Sequence, residues 1–206
     1  MPRSTEKSVK LTRKEAQQQT RQGLLAAAAR VFSEHGYHGA SVPAIAARAG
    51  CTTGAVYSNF RGKEDLFLSL MQQRMEQEAQ QRDHLSRAHS TPAERTRATA
   101  ASWTGLLESR PEEVVLLVEF WLYAVRTPRA RTHIASRFAA VRSGLTELIA
   151  SVTDTRDEAA ALATSIQALA YGFALQHVAD PEGVPAEAFL TAVQTQLRGA
   201  QAADPR

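Results

Sequence analysis

One cysteine, Cys51, stands in the whole chain. An internal disulfide is thereby excluded, and a reducing, cytoplasmic setting is expected. Long apolar runs are equally scarce. The longest, Val114 to Val125, is broken by Glu119 and spans about a dozen residues, too short to cross a bilayer. No membrane partner is expected. The opening residues are charged and polar with no apolar segment after them, so no secretion signal is expected either. Strand-like runs are few, whereas Ala-rich and Arg-rich stretches are common. With 44% hydrophobic residues available for a core, the expected fold class is all-α. Phosphate-cradling Gly loops with a properly spaced Lys, His-Glu-x-x-His and Gly-x-Ser-x-Gly are missing, and the six histidines show no metal-ligand spacing. No catalytic residue, no metal and no cofactor is expected, and an enzyme is disfavoured.

What is present is unevenly distributed. Residues 1–63 hold ten Lys/Arg against three Asp/Glu, and the remainder holds fourteen against eighteen. A basic front joined to an acidic back suits contact with a polyanion at one end, although a solvated arm gives the same count.

Punctuation divides the chain into about nine helices. Residues 1–19 are polar, with Arg13 and Lys14 among the basic side chains, and read as a flexible arm. Leu24, Leu25, Ala28, Val31 and Phe32 have helical spacing over about 20–35, and Gly36 closes that helix. Ser41 caps a short helix with Pro43 in its first turn. Gly50 and Cys51 form a turn, Thr52 or Thr53 caps a second short helix, and Gly62 ends it. Lys63 opens a long helix to about Arg87. Thr91-Pro-Ala-Glu94 and Thr155-Arg-Asp-Glu158 read as capping boxes. Pro111 and Pro128 open two more helices, and the last runs over about 185–198. The expected organisation is an arm (1–19), a three-helix domain (20–63), a larger helical domain (64–199) and a disordered tail (200–206).

Two short helices joined by a Gly-containing turn in a basic region match a helix-turn-helix. Val42, Ile45, Ala46 and Ala49 share one apolar face, and Ala46 leaves room for the second helix. Cys51 and Val56 pack back as small apolar groups. A small core role for Cys51 is preferred over a redox switch. Thr52, Thr53, Gly54, Ala55, Tyr57, Ser58 and Asn59 then lie on and around the exposed helix, small enough to let the backbone approach bases and phosphates.

Gly36-Tyr-His-Gly-Ala-Ser-Val-Pro-Ala-Ile-Ala46 and Ala49-Gly-Cys-Thr-Thr-Gly-Ala-Val-Tyr-Ser-Asn-Phe-Arg-Gly-Lys-Glu-Asp-Leu-Phe67 resemble the DNA-binding region of TetR-family regulators, over about residues 20–70. The resemblance implies an all-helical homodimer, with three N-terminal helices for double-stranded DNA bearing a palindromic operator and a larger domain for a small-molecule effector. It implies that Ser41, Tyr57, Asn59 and Lys63 touch phosphates, and that Thr53, Gly54, Ala55 and Tyr57 face bases. Thr52 joins this set at the helix start. The chain departs from the family pattern at Pro43, where many members carry a polar or basic residue. Base reading is therefore expected to rest on Thr53 to Tyr57 and on the arm.

The helix from Pro111 to Arg126 is apolar nearly all round and is expected to be buried centrally. The resemblance places it beside a partly apolar effector cavity, with Trp103, Leu107, Phe120, Trp121 and Phe173 as candidate lining and His177 or Gln167 as a polar anchor. Each of these aromatics also suits a plain core. Glu119 must be paired or solvated, by Arg142 or by a group of the effector. Ala159, Ala160, Ala163, Ala168, Ala170 and Gly172 allow close helix approach, and with the last helix suit half of a four-helix dimer bundle. The expected function is a ligand-responsive DNA-binding repressor. An architectural DNA binder without ligand response and a helical interaction protein without DNA binding are the alternatives.

Overall fold

The computed structural model describes residues 12–151 and 153–202. Among them are nine α-helices and no strand. The chain divides into two compact units, Met1–Leu70 and Met71–Arg206.

The first unit contains α1 (Arg13–Gly39), α2 (Val42–Arg48), α3 (Thr53–Asn59) and the opening turns of α4 (Lys63–Ala88). α1 begins seven residues before the expected Thr20, so Arg13 and Lys14 lie on a helix and not on a flexible arm. The cause is a capping box. The Thr12 hydroxyl accepts from the Glu15 N–H at 3.3 Å, and the Glu15 carboxylate accepts from the Thr12 N–H at 2.7 Å. These bonds satisfy donors that a helix start otherwise leaves open. Residues 1–11 of the expected arm lie outside the described residues. Gly36 breaks α1 with φ 68°, a left-handed conformation that glycine adopts without a Cβ clash, and one further turn follows it.

The core of this unit is built from the apolar stripe of α1. Leu24, Ala28, Val31 and Phe32 are buried together with Ile45 and Ala46 of α2, Val56 of α3, and Leu66, Phe67 and Leu70 of α4, and α1 packs on α2 and α3. Phe32 and Phe67 meet at 4.6 Å between ring centroids, and Tyr37 lies 4.9 Å from Phe67. Such aromatic contacts add to the burial of area itself.

The second unit comprises the rest of α4 with α5 (Pro92–Ser109), α6 (Pro111–Arg126), α7 (Pro128–Ile149), α8 (Arg156–Ala179) and α9 (Ala186–Ala202). α7 packs on α6 and α8, and α9 packs on α5 and α8. The Thr91–Glu94 box forms as expected. At the start of α8 only half of the second box does: Thr155 accepts from the Glu158 N–H, but Glu158 reaches the Asp154 N–H at 3.3 Å. α9 continues to Ala202, so residues 200–202 are helical where a disordered tail is expected. The remaining tail residues, 203–206, lie outside the described residues.

α6 differs from the expectation of a helix buried all round. Val114, Leu116, Phe120, Tyr123 and Ala124 are buried, but Trp121 is 46% exposed and Val125 is also exposed. In α8, Ala159 and Ala163 fill the unit's own core beside Ile149, Ile166, Phe189 and Val193, while Ala160 and Ala168 remain exposed. Among the described residues no helix is long and apolar enough to cross a membrane.

Candidate nucleic-acid interface

The two short helices are set by local chemistry. Ser41 accepts from the Ala44 N–H at 3.3 Å and caps α2, and Pro43 sits in the first turn, where no intrahelical N–H is lost. Gly50 turns the chain with φ 64°, and the Cys51 N–H returns to the Ala46 carbonyl at 2.9 Å. Thr52 then accepts from the Ala55 N–H at 3.1 Å and caps α3. Val56 anchors α3 with its side chain fully buried. The opposite side carries Thr53, Gly54, Tyr57 and Ser58, all exposed, with Tyr57 at 61%. A large aromatic so exposed beside small residues is a surface available for contact.

Two cations hold this surface in place. Arg21 of α1 donates to the Asn59 carbonyl at 2.9 Å and the Ser69 hydroxyl at 3.3 Å, and its guanidinium lies 4.2 Å from the Phe60 ring centroid. It thus ties the end of α3 to α1 and α4. Lys63 donates from Nζ to the carbonyls of Tyr37 (2.9 Å), Ala40 (3.0 Å) and His38 (3.5 Å), 4.7 Å from the Tyr37 ring centroid. Arg48 binds both carboxylate oxygens of Glu34. Those bonds hold the exposed Glu34 carboxyl below the usual carboxylate range.

The second unit contains a recess that is partly open to solvent. Met71, Trp103, Leu106, Val114, Leu117 and Phe120 supply apolar wall. Four charged side chains share it. Arg74 donates to Glu113 at 2.8 Å, and Arg137 donates to Glu78 at 2.6 Å and to the Tyr171 hydroxyl at 3.1 Å. Burial raises the Glu113 carboxyl above the usual carboxylate value, outweighing the opposite pull of Arg74. Burial works against the charge of Arg137, but Glu78 and Tyr171 prevail and raise its pKa further.

Residues 24–70 match the family model for bacterial regulatory proteins of the tetR family, and residues 92–201 match that for the C-terminal part of BetI-type transcriptional repressors. The second match alone covers more than half of the chain. The chain belongs to the TetR family. It is a family of transcription regulators and not of enzymes.

The chain is 45% identical over 51 residues to the HTH-type transcriptional repressor AcnR of Corynebacterium glutamicum, covering 25% of this chain and 27% of that protein. It is 41% identical over 54 residues to the fatty acid metabolism regulator protein of Bacillus subtilis, covering 26% and 28%. These alignments therefore span only about a quarter of each relative. A TetR-family transcriptional regulator from Streptomyces coelicolor superimposes with a TM-score of 0.79 at 24% identity, covering 89% of this chain and 97% of that one. A transcriptional regulator from Rhodococcus superimposes with a TM-score of 0.75 at 27% identity, covering 89% and 96%.

Of the positions that the TetR resemblance implies, Ser41, Thr52, Thr53, Gly54 and Tyr57 are exposed, and Ala55 and Asn59 are half-buried. Asn59 Nδ2 donates to the Ala55 carbonyl at 2.9 Å. Lys63 directs its ammonium to three carbonyls at the end of α1. A cation near carbonyls left open at a helix end is favoured there. Arg21 was not singled out, because a basic residue on the first turns of a polar stretch looks like plain surface.

The TetR effector expectations divide. Trp103 and Phe120 line the recess. Leu107 lies behind that lining, buried with Val114, Ala174 and Ala186. Phe173 packs 6.0 Å from Phe189, between ring centroids, in the α8–α9 core. Trp121 faces outward. His177 is within 2.9 Å of the Val184 carbonyl through Nδ1, joining α8 to the loop before α9. Gln167 is buried and donates to the Phe138 carbonyl at 3.3 Å. Glu119 is half-buried and not without a partner. Sequence reasoning missed Arg74, Glu78, Glu113 and Arg137. Spacing held one clue: Arg137 follows Ala130 and Ile134 on the same buried face of α7.

Proposed function

We propose that the chain is a homodimeric, ligand-responsive transcriptional repressor that reads a palindromic operator with α3 and works in the cytoplasm. The exposed face of Thr53, Gly54 and Tyr57, opposite the buried Val56, is the observation that carries this reading. A helix fixed from behind by apolar contacts and by Arg21 can enter a major groove without losing its register. Tyr57 and Thr53 supply hydroxyls and apolar surface to base edges and phosphates. Ser41, Asn59 and Lys63 border that face and meet phosphates.

The AcnR relatives are transcriptional repressors, and repression is the outcome proposed here. The second unit takes the effector and forms the dimer, using the exposed small residues Ala160 and Ala168 of α8. A two-fold dimer presents two α3 helices to two half-sites. Effector binding favours a dimer with another α3 spacing, so operator affinity falls by linkage. α4 belongs to both units and carries the change.

The test starts from bound DNA selected out of genomic fragments. Fluorescence anisotropy on the selected site should show Thr53→Ala and Tyr57→Ala each weakening binding by about tenfold or more, as loss of a good base contact does. Wild-type, salt-dependent affinity in both variants would remove α3 from the interface.

A further inference from the structure

The recess in the second unit contains a mismatch between donors and acceptors. Its carboxylates are already taken, Glu78 by Arg137 at 2.6 Å and Glu113 by Arg74 at 2.8 Å. Two buried N–H donors on its lining residues have no acceptor: Nε of Arg74 and Nε1 of Trp103. The Arg74 fork is half used. Nη2 meets Glu113 and Nη1 meets Gln77 at 3.3 Å, while Nε, on the edge it shares with Nη2, meets nothing. A buried donor without a partner is unfavourable, and native structures fill such positions with water or a ligand.

We propose that this recess binds an apolar molecule carrying a carboxylate, whose oxygens accept from Arg74 Nε and Trp103 Nε1. The inference rests on the reading of the second unit as the effector-binding half and adds the effector's chemical class. A carboxylate oxygen suits the free Nε–H of the guanidinium, because a hydrogen bond between two charged groups is stronger than a neutral one. A cation does not suit the recess, because each acidic side chain there already faces an arginine. Trp103 and Phe120 offer aromatic wall to the body of the ligand.

Isothermal titration of the full chain with 4-phenylbutyrate and with 4-phenylbutylammonium compares two heads on one tail. The acid should bind saturably and about tenfold or more tightly than the amine. Arg74→Lys keeps a cation beside Glu113 but removes Nε, and Trp103→Phe keeps an aromatic ring but removes Nε1. Each should weaken the acid by about tenfold and leave the amine within about twofold, with helical circular dichroism unchanged. Absence of saturable binding by the acid, equal binding of the two heads, or full acid affinity in both variants would overturn the proposal. If the acid binds as expected yet leaves operator affinity unchanged at saturation, the recess chemistry stands and the effector role fails. If another molecule releases the operator while the acid does not bind, the reverse holds.

Discussion

At the scale of single residues, the charged pairs of the second unit make opposite demands on pH and on mutation. Glu113 has a carboxyl raised by burial above the ordinary 4.5. The folded chain therefore holds a proton there at a pH where the unfolded chain has released it, and this site's contribution to stability falls as pH rises through that window. Glu113→Gln removes the dependence. Thermal unfolding should show the variant gaining on wild type as pH rises from about 4 to 7, and parallel curves would place the proton elsewhere. Arg137 is the buried partner of a pair whose other member, Glu78, is 35% exposed. Arg137→Met should cost about 2–3 kcal/mol in urea unfolding, less than the loss for a fully buried pair because Glu78 is partly solvated. Arg137→Met with Glu78→Leu should regain most of it, since no unpaired carboxylate is left behind. Apart from the spacing of Arg137 behind Ala130 and Ile134, none of this was legible in the sequence. α4 reads as a polar helix, and Arg74 and Glu78 look like an ordinary exposed pair four residues apart until the rest of the unit closes over them.

Elements were far easier to read. Pro at helix starts, Gly at turns and Thr caps act within a few residues, so their effect survives without knowledge of the tertiary fold. Ser41, Gly50 and Thr52 placed α2 and α3 correctly for that reason. The beginning of α1 failed for a related one. Residues 13–19 are good helix formers behind a Thr12–Glu15 box, but they bury no apolar face, and periodicity was the guide. α6 failed the other way: its composition is apolar on all sides, yet a single chain covers only part of it. At the turn between the reading helices, φ of 64° at Gly50 meets open space where a Cβ would stand. Gly50→Ala should therefore cost about 1–2 kcal/mol from backbone strain alone, read as a lower urea midpoint. An unchanged midpoint would mean that the turn relaxes without the left-handed conformation.

For the whole molecule, the charge division of the sequence and the two compact units fall near one another, the basic excess lying in the first. A two-headed reader releases counterions at both half-sites. On a full palindrome the slope of log affinity against log salt should be about twice that on an isolated half-site. Equal slopes would leave a single reading head. The clamp at Lys63 has a different consequence, one of chemical reactivity. The other lysines are Lys7, Lys10 and Lys14, all ahead of the first buried residue of α1. An amine-directed acylating reagent thus meets one ammonium held by three carbonyls and a ring. To react there it must first find the amine released and deprotonated, so each acyl group found at position 63 records a moment when the end of α1 had let go.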